Sequence, residues 1–446
     1  MRPHVDVDMQ AEGAAVSAGR AISTKTYAYY VVAVLFLAYA VNVMDRSVLA
    51  VLLESIKREF VVNDKMLGLL SGMAFALFYA TLGIPIAALA DRTSRRSVLA
   101  ASAALWSGAT ALCGLATNFW FLLLARIGTA VGEAGGTPPS HALISDYFPP
   151  KERGTALSLY ALGVPFGAML GSGLGGWSNQ LVGWRMTFIL IGVPGLLVAL
   201  LVRLTVREPR RGQSDAVSPA IAKAQTPPLT DALRYLWSRR SFRHMALACG
   251  LHSLVWYSGS QLNASFLQRS HHMTSAQAGF WLAVFSATGA VGTLLGGFLS
   301  DRLSTRLGDR RWYMWVPGFA TLAMLPFQFS SYLAGSLRVV VPSFIIMLIL
   351  GSMFFGPSFA LSQGLATLRT RAVATSLTLF MQTLIGLGLG PLLAGAISDY
   401  LRPTTGNDSL RYGLAIVGVV NVWAAVHYFR GARSVREDMD YAMTLP

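Results

Sequence analysis

Charge is scarce in this chain. Of its 446 residues only 13% are Asp, Glu, Lys or Arg, while 54% are hydrophobic. A soluble domain is nearer a quarter charged, because its surface must hold water. So few charges cannot coat a globule of this size, and the apolar surface must face lipid. Cysteine is nearly absent too. Cys113 and Cys249 each sit inside an apolar run, which excludes a disulfide framework and a metal site. There is no His-Glu-x-x-His sequence and no Gly-Lys dipeptide, hence no P-loop. An ATP-driven pump or metal hydrolase therefore lacks its chemistry, and neither an enzyme nor a cofactor is expected. The net charge of +15 would suit nucleic-acid binding. That partner is excluded because the basic residues fall in short loops between apolar runs rather than on one soluble face.

What is present is a series of apolar runs, each able to cross about 30 Å of hydrocarbon as a helix. They lie at 28–53, 66–90, 97–116, 119–146, 154–180, 186–204, 243–268, 276–300, 312–332, 338–362, 371–399 and 411–430. No ten-residue alternation of a barrel strand occurs, so the expected fold class is an all-α membrane protein of twelve transmembrane helices. Residues 1–27 have no continuous apolar core and read as a flexible cytoplasmic tail rather than a signal peptide. With that tail in the cytoplasm, 26 Lys and Arg fall in inner segments against 8 in outer loops. This bias predicts a multi-pass protein of the cell inner membrane with both termini cytoplasmic.

The chain repeats itself. Ala87-Ala88-Leu89-Ala90-Asp91-Arg92 matches Gly297-Phe298-Leu299-Ser300-Asp301-Arg302, 210 residues on. Arg153-Gly154-Thr155-Ala156-Leu157-Ser158 matches Arg371-Ala372-Val373-Ala374-Thr375-Ser376, 218 residues on. The domains that follow are an N-terminal six-helix bundle at 28–204, a basic linker at 205–242, a C-terminal six-helix bundle at 243–430 and a cytoplasmic tail at 431–446. Two matched halves are the architecture of a secondary transporter. In the linker, Leu229, Leu233, Leu236 and Trp237 sit at helical spacing near Arg234, Arg239 and Arg240. They predict a short amphipathic helix on the inner membrane surface; for 211–228 a disordered tether is an equal alternative.

Asp91-Arg92-x-x-Arg95-Arg96 resembles the cytoplasmic loop motif of the major facilitator superfamily, and Asp301-Arg302 its second copy. The match departs at Ala87 and Ser94, where the motif has glycines. A narrower resemblance joins the N-terminal half to spinster-type transporters. It rests on Asn42-Val43-Met44-Asp45-Arg46, Arg126-x6-Glu133-Ala134-Gly135, Pro138-Pro139-Ser140 and Asp146-Tyr147-Phe148-Pro149. Animal members of that family move sphingosine-1-phosphate and lysophospholipids. The resemblance thus implies the major facilitator fold, alternating access and an amphiphilic substrate of lysolipid or sphingolipid type.

Four ionisable residues fall within the predicted spans: Asp45, Arg46, Arg126 and Glu133. Each costs about 2.5–3.5 kcal/mol there on insertion scales, so each must face a partner or a water-filled cavity. Arg126 and Glu133 are two turns apart on one helix face, roughly 10 Å along the axis, which leaves room for a residue of the first span between them. Asp45 and Arg46 point about 100° apart. Arg46 is therefore expected to face Glu133, and Asp45 to lie nearer Arg126. Two readings stay open: a salt-bridge knot that only joins two helices, or a site that couples protons to substrate. In the second, adding a proton to Glu133 or Asp45 makes the neutral cluster positive and frees Arg46 for an anionic head group.

The C-terminal spans carry no such charge. Candidate pocket residues are Tyr79 from the first half, with His252, Trp256, Tyr257, Gln261, Phe354, Gln363 and Gln382 from the second. For most of these ordinary packing is the alternative, and for His252 it is a satisfied core histidine. A charged wall facing an apolar one suits an amphiphile, whereas a sugar would want polar groups from both halves. Candidate cytoplasmic gate residues are Asp91, Arg92, Arg95, Arg96, Arg153, Asp301, Arg302 and Arg371, with a solvated anchoring patch as the alternative. Gly163, Gly167, Gly171 and Gly175 predict close helix packing. The expected partners are protons, membrane lipids and an amphiphilic or anionic small molecule, carried by a monomer. A small organic anion or drug is the competing substrate class, and a channel is distinguished by unsaturable flux.

Overall fold

The computed structural model describes residues 25–209, 214, 229–367 and 370–444, apart from the side chains of Ile84, Asp91, Pro150, Leu229, Ala372 and Thr444. Every regular element among them is helical. In the first half the rods are Lys25–Phe60; Asp64–Gly68 continued by Leu69–Met73 and Ala74–Arg92; Arg95–Cys113; Phe119–Ala134 with Thr137–Tyr147; and Pro150–Ala161 running into Gly163–Thr205. Gly183, at φ +78°, splits that last helix into a fifth and a sixth rod. A residue with a Cβ is strained at such a φ, which is why the turn falls on a glycine. In the second half the rods are Arg240–Ser270, Ser275–Leu307, Trp312–Ala323 with Leu325–Leu333, Leu337–Ser352 with Phe355–Gly364, Arg371–Met381 through Gly390–Thr405, and Ser409–Gly418 with Val420–Ala432. Among the described residues these segments group into twelve rods, six in each half.

Six stretches are long and apolar enough to cross a membrane by length and composition; two of them, of 55 and 60 residues, are far too long for one crossing. They double back at Gly183 and near Gly406. Rod starts are closed by side chains. Asn63 accepts from the Met66 amide at 2.9 Å, Asn118 from that of Phe121 at 2.9 Å, and Thr274 with Gln277 forms a reciprocal capping box.

The glycine stripe of the fifth rod does what its spacing predicts. A Cβ on Gly163, Gly167 or Gly171 would run into the backbone of the first rod at Phe36, Ala40 and Met44. The first rod is thereby pressed against the fifth beside Asp45 and Arg46.

Among the described residues the closest backbone contacts between the two halves lie toward one end. There Gly68 and Gly72 of the second rod abut the carbonyls of Pro391 and Leu387, and Gly176 and Gly279 bring the fifth and eighth rods into backbone contact. Both second-rod contacts fall beside wider helical turns, Leu69–Met73 and Gln382–Leu389, which face each other across the interface. At the opposite end, Thr137–Tyr147 and Pro150–Ala161 make their main contacts within the first half, while Phe355–Gly364 and Arg371–Met381 make theirs within the second. The molecule is therefore a two-walled crevice, closed at the end of Glu54 and Asp64 and open at the end of Arg95 and Arg371.

Two expectations change and a third is extended. The first rod runs on to Phe60, so Glu54 and Lys57 lie inside a helix. Leu229–Ser238 is helical as expected, and buried Leu236 with partly buried Tyr235 pack it on the second half, a contact the spacing did not foretell. The expected tail at 431–446 contains a docked helix, Val435–Thr444. Asp438 caps the seventh rod through the Ser241 amide at 2.9 Å, Arg436 pairs with Asp309 at 2.9 Å, and Val435 is buried. The tether at 211–228 falls outside the described residues but for position 214, as does the tail at 1–24.

Candidate transport site

The four intramembrane charges meet at the middle of the first half. The Arg46 Nε donates to Glu133 Oε2, and Arg126 Nη1 lies 3.8 Å from Asp45 Oδ1. These are the two pairings that the helical positions imply. Thr110 donates its hydroxyl to Asp45 Oδ2 and stands 3.5 Å from Thr129. Nothing in the sequence marked these threonines, since a hydroxyl on an apolar helix carries no signal until its neighbour is known. The side chains of Glu133, Arg126 and Asp45 are 0%, 2% and 3% exposed, whereas that of Arg46 is 29% exposed. Arg46 is thus the member that reaches the crevice.

Aromatic rings frame it. The Arg46 guanidinium lies 4.7 Å from the Tyr79 ring and 4.9 Å from that of Phe75, and the two rings stack 5.5 Å apart. Arg126 approaches Phe75 at 5.6 Å. Tyr257 of the seventh rod and Leu387 of the eleventh join Phe75, Ala130 and Tyr79 in one apolar cluster, so the second half contributes an uncharged wall opposite the charges. A guanidinium held over aromatic faces keeps its charge while staying partly out of water. Glu133 Oε1 and Arg126 Nη1 have no hydrogen-bond partner among the described residues. This leaves acceptor and donor capacity at the cluster.

The other pocket candidates divide. Tyr79 and Tyr257 are half-buried in the apolar cluster beside Arg46, and Trp256 and Gln261 are half-buried in the seventh rod. His252 is not a pocket residue. Its Nε2 lies 2.7 Å from the Gly351 carbonyl, its Nδ1 3.3 Å from Thr321, and its ring 4.5 Å from that of Phe354. It is a core histidine with both nitrogens engaged. Phe354 is buried beside it, Gln382 is buried elsewhere in the second half, and Gln363 is exposed. These three do not line the site.

At the open end, several of the described gate candidates have partners within their own half. Arg95 pairs with Asp146, and Arg153 donates to the carbonyls of Ser145 at 2.7 Å and Phe148 at 2.9 Å. Glu208, which sequence reasoning missed, accepts from the Arg95 and Arg96 amides at 2.9 and 2.8 Å and so caps the third rod. Asp301 accepts from Tyr313 at 2.6 Å, and Arg302 lies over Phe298 at 5.6 Å. Arg371 lines a cavity of about 360 Å³ with Arg310, Tyr313 and Met439, all of the second half. Arg92 is exposed, and the Asp91 side chain lies outside the described residues.

The closed end holds an ionic knot that the sequence did not reveal. Arg269 of the seventh rod donates to Glu54 at 2.9 Å and to Asp64 at 2.7 Å, with only a tenth of its side chain exposed. Lys57 pairs with Asp64, Ser398 donates to it at 2.6 Å, and Asp399 accepts from the Asp64 and Lys65 amides at 2.9 and 2.8 Å. Partners more than 200 positions apart leave no trace in local spacing.

The family model of the Major Facilitator Superfamily matches residues 35–391 and 256–438. An MFS-type efflux pump of Mycolicibacterium smegmatis is 31% identical over 415 residues, which is 92% of this chain and 94% of that protein. The sphingosine-1-phosphate transporter SPNS2 of Danio rerio is 26% identical over 430 residues, 90% of this chain and 83% of its own. A crystal structure of a bacterial homologue of the human lysosomal transporter spinster, inward-facing and unoccupied, superposes with a TM-score of 0.85 at 32% identity. It covers 93% of this chain and 99% of the other. The resemblance to spinster-type transporters thus extends over both halves, beyond the motifs that first suggested it. A two-walled helical bundle with a buried charge cluster beside its crevice, matched along nearly its whole length, belongs to the major facilitator superfamily, and the chain is a multi-pass membrane transporter rather than an enzyme.

Proposed function

We propose that this chain is a proton-coupled, alternating-access transporter of an anionic amphiphile of lysolipid or sphingolipid type. Its twelve rods each cross the cell inner membrane, and its open end faces the cytoplasm, where the Lys and Arg excess lies. The observation that carries the reading is Arg46. It is the one charged side chain of the cluster that reaches the crevice, and it is held there by Glu133 and two aromatic rings. With Glu133 ionised the cluster is neutral and Arg46 is occupied. A proton on Glu133 leaves Arg46 a cation without its carboxylate, able to take an anionic head group in bidentate fashion. The apolar wall around Tyr257 and Leu387 then accommodates the chain of the same molecule. Binding energy that differs between the two protonation states is what shifts the populations of the two facing states. Asp91, Arg92, Arg95, Arg96, Arg153, Asp301, Arg302 and Arg371 would close the cytoplasmic end once the crevice turns outward.

A second reading, export of a drug or small organic anion at the same arginine, draws support from the mycobacterial efflux pump. Purified protein in liposomes separates the two. Saturable flux of long-chain lysolipids, driven by a pH gradient and absent for short-chain acids, supports the amphiphile. Flux of the short acids alone overturns it.

A further inference from the structure

The open-end termini of the seventh and twelfth rods carry a basic cluster that transport does not use. His244 Nδ1 and His427 Nδ1 lie 2.9 Å apart, with ring centroids at 5.0 Å. Two such nitrogens at that distance must share a proton, since one has to donate. The rods are pressed together here: a Cβ on Gly431 would come within 2.9 Å of the His244 Cβ. Arg430 acts electrostatically on both rings and Arg243 on His244, while no carboxylate acts on either. Among the described residues neither arginine has an ion-pair partner. Asp438 of the terminal helix is turned to the Ser241 amide and hydroxyl at the start of the seventh rod. Two arginine charges therefore converge on a histidine pair, with no ion-pair partner for either among the described residues.

Their position says what balances them. Ile416, Val419, Trp423 and Val426 are 48%, 53%, 58% and 39% exposed and follow one another at helical spacing. They are the lipid-facing stripe of the twelfth rod. His427 and Arg430 continue that stripe to its end, and the Trp423 ring sits 6.0 Å from that of His427. Seven residues separate Trp423 from Arg430, about 10 Å of helix. Tryptophan marks the membrane interface, and this rise carries Arg430 from it toward the aqueous side. We propose that the outer seam of these two rods binds one anionic phospholipid, with its phosphate among Arg243, His244, His427 and Arg430 and its chains along the Val419, Trp423 and Val426 face. The site lies outside the crevice and is independent of the substrate assignment.

The test is native mass spectrometry of the delipidated full chain, titrated with phosphatidylglycerol or with phosphatidylcholine of the same chain length. The wild type should bind one phosphatidylglycerol in preference to phosphatidylcholine. R243Q/R430Q should weaken that binding by about 30-fold, or about 2 kcal/mol at 1.4 kcal/mol per tenfold, given about 1 kcal/mol per basic group. H244Q/H427Q should weaken it while leaving both arginines in place. R243K/R430K, which keeps the charge, should retain it. R203Q/R306Q, which removes two exposed arginines elsewhere, should leave it unchanged. Equal binding of the two lipids by the wild type would overturn the proposal. So would an equal loss in R203Q/R306Q, or displacement of the lipid by inorganic phosphate alone.

Discussion

Replacing Arg269 by Gln should tip the molecule toward the conformation in which the closed end opens. Arg269 is the side chain that joins the halves across the ionic knot, touching Glu54 and Asp64 of the first half while anchored in the second. Truncating one partner of a buried ion pair costs about 3–5 kcal/mol, because the remaining charge is left uncompensated. Here Lys57 and Ser398 continue to serve Asp64, so the loss falls mainly on Glu54 and the lower figure, about 3 kcal/mol, applies. When this end opens, Glu54 meets water and the penalty vanishes. The ratio of the two facing states should therefore shift about 100-fold, and a 99:1 resting preference would become nearly even. The shift is read by double electron–electron resonance between nitroxides at positions 61 and 404, one on each half at the closed end. Val61 is 88% exposed, and Cys113 and Cys249 are fully buried, so labels go to introduced cysteines alone. A new long-distance component is expected in Arg269→Gln, and its reversal in the Glu54→Gln/Arg269→Gln pair, where no stranded charge remains. An unchanged distance distribution in well-folded Arg269→Gln protein would refute the argument.

Gly176→Val places a side chain against the Ser275 carbonyl, where no real Cβ fits. Overpacking of about 1–3 kcal/mol should disfavour the closed end by roughly tenfold or more, seen with the same labels and as slowed transport. Thr110→Val removes the hydroxyl that donates to Asp45. It should lower stability by about 1.5–3 kcal/mol, measured by thermal unfolding in detergent, since a hydrogen bond to a buried charge is lost. Arg311 and Arg436 hold the Asp309 carboxyl below the ordinary carboxylate range. Its contribution to docking of Val435–Thr444 is accordingly complete above the ordinary value of about 4 and fades only as pH falls through the depressed one. Hydrogen exchange of that helix should stay slow down to about pH 4, whereas Asp309→Asn should exchange fast at neutral pH.

The sequence was legible wherever one period or one cost decided the outcome. Apolar runs of bilayer length had to be helices, and Gly163, Gly167 and Gly171 had to admit another backbone. Asp45 and Arg46 had to part to opposite partners because adjacent helical residues diverge by about 100°. It was illegible where partners come from distant rods. The Arg269 knot, the Glu208 cap and the Thr110 bond each join elements through tertiary geometry alone. His252 was left between two readings because a histidine in an apolar run looks the same whether it lines a cavity or, as here, spends both nitrogens on Gly351 and Thr321. The terminal helix was missed because Asp438, Arg436 and Asp440 read as solvated charge until Ser241, Asp309 and Arg310 are brought to meet them.

The most direct test of the central claim is proton movement itself. Wild-type protein and Glu133→Gln are reconstituted in liposomes holding a pH-sensitive dye, and a long-chain lysolipid is added without an imposed gradient. If Glu133 and Arg46 exchange a proton for a head group, the wild type moves protons with the lipid, while Glu133→Gln binds lipid but moves none. Equal proton movement in both, or lipid flux with no proton signal in the wild type, contradicts the account.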